Sequence, residues 1–225
     1  MGQDWRPNQA MSTQLLLKVL EEIEYRIESA MSRREENRWT VFHTYVTVCY
    51  VVSLRGSEGL LLDLSGLRRK WGLGGTEYVT IALLGKIKGE TDNCAHLLPS
   101  VPVTSSGVRV ETSLKRLIEL KARSGLKLGP AISDLSSRIF DPSDMNDALL
   151  EVLEDLFDNH QELFPASVSD KELLRQKYQA FQTLRRTSDT RALELGVAQP
   201  DIDLVNRWKT VKKADGTRPN RPMRQ

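Results

Sequence analysis

Apolar residues recur at helical spacing over most of this chain and switch to a strand-like pattern only once. Leu16, Val19, Leu20, Ile23 and Ile27 fall three and four apart behind Ser12 and Thr13, which are able to cap a helix N-terminus. A polar break over residues 32–38 leads into an apolar run at 39–54. That run is rich in Val and Tyr, so periodicity leaves a strand open, while its length favours a buried helix. Gly56 interrupts it, and Ser57 is placed to cap a short helix continuing through Leu60, Leu61 and Leu64. Between about Glu77 and Thr104 the character changes. Residues 78–84 and 96–103 read as strands joined by a turn-rich connector at 85–93, and Pro99 and Pro102 mark the second as an edge or a broken strand. Helical pattern returns at 112–124 and stops at Gly125. Asp141 and Pro142 open a further helix with Met145, Leu149, Val152 and Leu156 on one face, and Ser169 with Glu172 has capping-box spacing before the last helices. The expected fold is mainly α with a small antiparallel β-sheet, without internal repeats.

A length of 225 residues and 40% hydrophobic content suffice for one large core. No window reaches the roughly 18 uninterrupted apolar residues of a membrane span. The run at 39–54 is broken by His43, Thr44, Thr47 and Ser53, and the first residues lack a signal-peptide pattern. The two cysteines, Cys49 and Cys94, show no metal or redox spacing, which fits a reducing, intracellular compartment: nucleus in a eukaryote, cytoplasm in a prokaryote. His43, His96 and His160 are scattered, so no metal site is expected, and Gly72, Gly74 and Gly75 precede a strand, the wrong order for a dinucleotide loop. No cofactor is implied. The net charge of +2 conceals an asymmetry: residues 204–225 carry a balance of +6 and the first 203 a balance of −4. A basic tail of that kind either meets a polyanion or is simply solvated. Residues 141–162 hold eight acids and no Lys or Arg.

Candidate chemistry lies in two stretches 130 positions apart. The first reads Leu54-Arg55-Gly-Ser-Glu58-Gly-Leu60-Leu-Leu-Asp-Leu64; the second runs Gln182-Thr-Leu184-Arg185-Arg186-Thr187-Ser-Asp-Thr190 to Gly196, followed by Ile202 to Trp208. Each holds an arginine, whose planar, permanently charged fork of donors fits two phosphate oxygens at once. The pattern resembles the catalytic domain of tyrosine recombinases, the DNA breaking and rejoining family that includes phage integrases. The resemblance runs from about Ser12 to the end, with residues 1–11 as an N-terminal extension and 12–225 as a catalytic domain incomplete at its C-terminus. It implies DNA recombination or integration, as in mobile genetic elements, with DNA as partner and self-association on it.

By the same resemblance, Arg55 and Arg185 would bind the non-bridging oxygens of a scissile phosphate, and Glu58 would orient Arg55. An ordinary ion pair between residues three apart is the plainer account of Arg55 and Glu58. Lys86 in the strand connector would be the general acid, with Lys88 a close competitor and a solvated turn lysine the alternative for either. Trp208 would donate its indole N–H to phosphate or anchor the last helix. Lys88, Arg186, Arg207, Lys209, Lys212 and Lys213 would add DNA contacts. Two positions depart from the family. Gln182 stands where it has His, and can hydrogen-bond but not exchange a proton. No tyrosine follows Trp208, so the covalent nucleophile is missing and the chain reads as a fragment or a degenerate copy. Tyr178 is a poor substitute, reading as part of the same helical stretch as Arg185. The alternatives are a DNA-binding remnant without catalysis, and a helical module whose acidic residues 141–162 meet a basic partner.

Overall fold

The computed structural model describes residues 9–71, 77–85 and 94–206. Its centre is helix α2, Arg33–Val51, in which 13 of 19 residues are buried and the buried positions run continuously from Trp39 to Tyr50. Burial on every side explains why this segment lacks a clean helical stripe in the sequence. The helix starts at Arg33, because Ser32 caps it by accepting from the Glu35 N–H at 3.2 Å. The polar residues at 33–38 are therefore its first turns and not a break. Helix α1, Thr13–Glu28, is capped by Ser12 as expected and buries Leu15, Leu16, Val19, Leu20, Ile23 and Ile27.

The chain leaves α2 through a turn with Ser53 in the left-handed region, at φ 50°. It enters the four-residue helix α3, Gly56–Gly59, whose N-cap is Arg55 and not Ser57. Instead of continuing as a helix through Leu64, the backbone then extends into strand β1, Leu62–Trp71. The apolar cluster at 60–64 does not distinguish the two, and pairing decides it. Strand β1 is antiparallel to β2, Glu77–Gly85, with Leu62 opposite Leu83 and a bulge between Asp63 and Arg68. Strand β2 is antiparallel to β3, Cys94–Ser100, in the order β1-β2-β3. Pro99 thus lies on an edge strand, as its missing donor requires. The far side of β1 is covered by residues 129–131, through bonds from Leu64 N to Gly129 O and from Ala131 N to Leu62 O.

Helix α4, Val110–Arg123, packs on α2 and ends before Gly125 at φ 69°. Helix α5, Pro142–Asn159, has Asp141 as N-cap in a reciprocal capping box with Asp144, and buries Met145, Ala148, Leu149, Val152, Leu153 and Leu156. Its acids face the protein's own cations. Glu151 meets Arg26 at 2.6 Å and Arg38 at 2.8 Å, and both guanidinium groups lie 4.5 Å from the Trp39 ring centre. Glu154 pairs with Arg175, Asp158 with Lys171 and Asp144 with Arg138. Such exposed pairs contribute only about 0–1 kcal/mol each; their effect is to occupy a surface that a basic partner would need.

Helix α6, Lys171–Lys177, is capped by Asp170, one residue later than the capping-box spacing suggests, and ends at Tyr178. Helix α7, Ala180–Glu194, is a separate element that packs on α2, α3 and α5 and leads to α8, Gln199–Val205. Tyr178 is therefore not on the helix of Arg185. The N-terminal segment is tied across α7 by Met11 N donating to Thr187 Oγ1 at 2.9 Å. Among the described residues no helix is long and apolar enough to cross a membrane.

Two positions give direct tests. A Cβ added at Gly59 would run into Cys49 Sγ and come within 2.8 Å of Tyr45 Cε2, both on α2. Gly59→Ala should lower unfolding free energy by about 2 kcal/mol, the usual size of an overpacking penalty, measured by denaturant titration; unchanged stability would refute this close approach. His43 is buried with Nδ1 2.9 Å from Ser113 Oγ and Nε2 3.6 Å from Glu24, and burial, with Arg116 adding, lowers its pKa from 6.5 to about 4. The unfolded chain therefore binds a proton at this site below about 6.5 that the native protein refuses until about 4. Stability should fall as pH drops through that window, and His43→Asn should show a shallower slope. Equal slopes would contradict the burial account.

Candidate phosphate-binding site

Arg55 and Arg185 come together on one carboxylate. Glu58 follows Arg55 by one short turn, and its Oε2 accepts from the Arg55 backbone N–H at 3.0 Å while Oε1 accepts from Arg55 Nη1 at 3.1 Å. The Arg185 guanidinium reaches the same Oε2 from α7, with Nη1 at 4.0 Å. The local pairing expected between positions 55 and 58 is present, but the carboxylate also serves a residue 127 positions further on. Glu58 is 3% exposed at its side chain. A carboxylate at that depth is strongly disfavoured unless compensated, so the two cations account for its burial.

Arg185 is itself buried, and its Nη2 donates to the Asn206 carbonyl at 2.7 Å. Arg55 is more open, with 27% of its side chain exposed. Arg55, Arg185 and Glu58 together carry two positive charges against one negative, with the Asp189 carboxylate one turn further along α7, in surroundings where Coulomb attraction is less screened than in water. It is suited to an anion with several oxygens, approached from the Arg55 side.

Behind the pair lies a polar network that the sequence reading did not single out. Ser53 Oγ is 2.8 Å from Asp189 Oδ1 and 2.7 Å from Asn206 Oδ1, and Asn206 Nδ2 donates to Asp189 Oδ1 at 2.8 Å. The only sequence signal was Asp189 four residues after Arg185, hence on the same face of α7. Nothing local marks Ser53 or Asn206.

Of the other expected site residues, Gln182 is exposed on α7 one turn before Arg185, and Arg186 is half-buried beside it. Lys86, Lys88, Arg207, Trp208, Lys209, Lys212 and Lys213, and the glycines at 72–75, lie outside the described residues. Tyr178 is fully buried and its hydroxyl is pushed up to about 12 by burial, both of which argue against it as an attacking phenolate. The Cys49 thiol, buried beside Tyr45, is likewise pushed up by burial and is no nucleophile. Among the described residues no group of three or more His, Cys, Asp or Glu could hold a metal ion.

No family model matches the chain, and no curated protein matches it in sequence. Solved structures do match in fold. A post-cleavage complex of the XerH site-specific recombinase bound to a palindromic difH substrate has a TM-score of 0.61 at 13% identity, covering 91% of this chain and 47% of that one. A pre-cleavage complex of XerH bound to difH substrate has a TM-score of 0.59 at 14% identity, covering 89% of this chain and 47% of that one. The chain thus spans about half the length of the recombinase chains it matches, and its helical architecture with one three-stranded antiparallel sheet is similar to theirs.

Proposed function

We propose that this chain binds DNA and positions a backbone phosphodiester between Arg55 and Arg185, as a recombinase-type domain. The observation that carries this reading is the meeting of both guanidinium groups on the buried Glu58. A surface ion pair explains Arg55 with Glu58 but not the recruitment of Arg185 from α7. Catalytic electrostatics of this kind needs donors fixed in advance, and a carboxylate behind two arginines fixes them. The fold similarity to DNA-bound XerH supports the same reading.

In this reading Gln182 and Arg186 extend the contact along α7, Lys86 or Lys88 would protonate the leaving oxygen once a nucleophile attacks the phosphorus, and Trp208 and the basic residues 207–213 hold flanking DNA, with copies of the chain assembling on it. Strand cleavage needs a phenol at the phosphate, and Tyr178 is sealed in the core. The grip on the phosphate serves DNA recombination or integration in this reading. The acids of α5 are engaged with Arg26, Arg38, Arg138, Lys171 and Arg175, which argues against a basic protein as principal partner.

Titration of a short labelled duplex at several salt concentrations tests the grip. Arg185→Ala and Arg55→Ala should each weaken binding about tenfold and lower the salt slope by about one, as expected for one lost phosphate contact. Arg33→Ala, on the exposed start of α2 and away from the pair, should change little. Wild-type affinity in both site variants would remove the pair from any DNA contact.

A further inference from the structure

Ser53 occupies a position that ordinarily belongs to glycine. It ends α2 at φ 50°, with Ser53 N donating to Tyr50 O and Leu54 N to Cys49 O. A side chain in that conformation is strained, so the hydroxyl sits there against a local preference. Its oxygen lies within 2.8 Å of two acceptors, Asp189 Oδ1 and Asn206 Oδ1, and has one proton to offer them. Asn206 is fully buried; its amide group donates to Asp189, while its backbone carbonyl receives Arg185 Nη2. The three residues therefore join the segment two positions ahead of Arg55, the α7 turn following Arg185, and the end of α8.

We propose that Asp189, Ser53 and Asn206 are positioning residues that set the direction of the Arg185 guanidinium through the Asn206 carbonyl, and so the strength with which the site holds a DNA phosphate. The proposal rests on the reading of Arg55 and Arg185 as a phosphate grip. Glu58 draws the two guanidinium groups together at their tips. The network acts on the other nitrogen of the Arg185 fork, holding the Asn206 carbonyl that accepts from Nη2 while Glu58 lies on the Nη1 side. A carboxylate kept this near a phosphate site opposes the anion, so simple electrostatics makes Asp189 a liability for DNA binding. Its service to Asn206 offsets that.

That opposition in sign gives a test a merely structural residue would not pass. Dissociation constants for a short duplex at low salt are compared for the wild type, Asp189→Ala, Asp189→Asn, Arg185→Ala and the Arg185→Ala/Asp189→Ala double variant. Asp189→Ala and Asp189→Asn remove the same charge, and electrostatics alone would tighten binding in both. We expect Asp189→Ala to weaken binding about tenfold and Asp189→Asn, which keeps an acceptor oxygen, to recover most of it. In the Arg185→Ala background Asp189→Ala should change affinity less than about twofold, because its route of action is gone. Ser53→Gly separates positioning from stability: it relieves the left-handed strain and removes the hydroxyl, so melting temperature should hold while affinity drops several-fold. Tighter or unchanged binding in Asp189→Ala overturns the proposal, as does an equal loss with and without Arg185. Should Asp189→Ala not fold, Ser53→Gly alone decides, and unchanged affinity there overturns it. Unaltered binding by Arg185→Ala would instead remove the phosphate grip itself, and this inference with it.

Discussion

The buried carboxylate of Glu58 is the constraint around which the candidate site is built. A charge sealed from water must be neutralised nearby, and two guanidinium groups from distant parts of the chain do so here. Glu58 can sit at that depth only because Gly59 lets α3 press against Cys49 and Tyr45 of α2, where any side chain would collide. Arg185 can reach it only because α7 lies against α3 and its guanidinium is turned by the Asn206 carbonyl. The result is a pair of converging guanidinium groups with a counter-ion behind them, a form suited to gripping an anion from the open Arg55 side.

The rest of the fold holds these elements in register. Helix α2 is buried all round from Trp39 to Tyr50 and touches α1, α3, α4 and α7, so the segment leading to Arg55 leaves from a helix held by four others. Helix α5 packs on α1, α6 and α7, its acids paired with cations of α1, α2 and α6 and its apolar stripe in the core. A helix that reads as an interaction surface in sequence is thus mostly an internal fastening.

Much of this was legible in the chain. The caps at Ser12 and Asp141, the stripes of α1 and α5 and both strands flanking the connector follow from local pattern, and local pattern is what short-range physics dictates. What local pattern leaves open depends on contacts distant in sequence. Strand β1 is not legible because Leu60 to Leu64 suits helix and strand alike, and only pairing with β2 decides between them. The start of α2 is hidden because Ser32 caps a turn whose residues are all polar. The break between α6 and α7 at Tyr178 has no proline or glycine to announce it. Ser53, Asp189 and Asn206 could not be linked in advance, since their hydrogen bonds span up to 153 positions.

Anomalous diffraction from crystals of the protein soaked in tungstate, a tetrahedral oxyanion, tests the central claim most directly. The account predicts one dominant tungstate whose oxygens lie about 3 Å from nitrogens of both Arg55 and Arg185, with Glu58 still bound behind them. Tungstate saturating other sites while neither guanidinium contacts it, or the two arginines separating in its presence, would contradict the account.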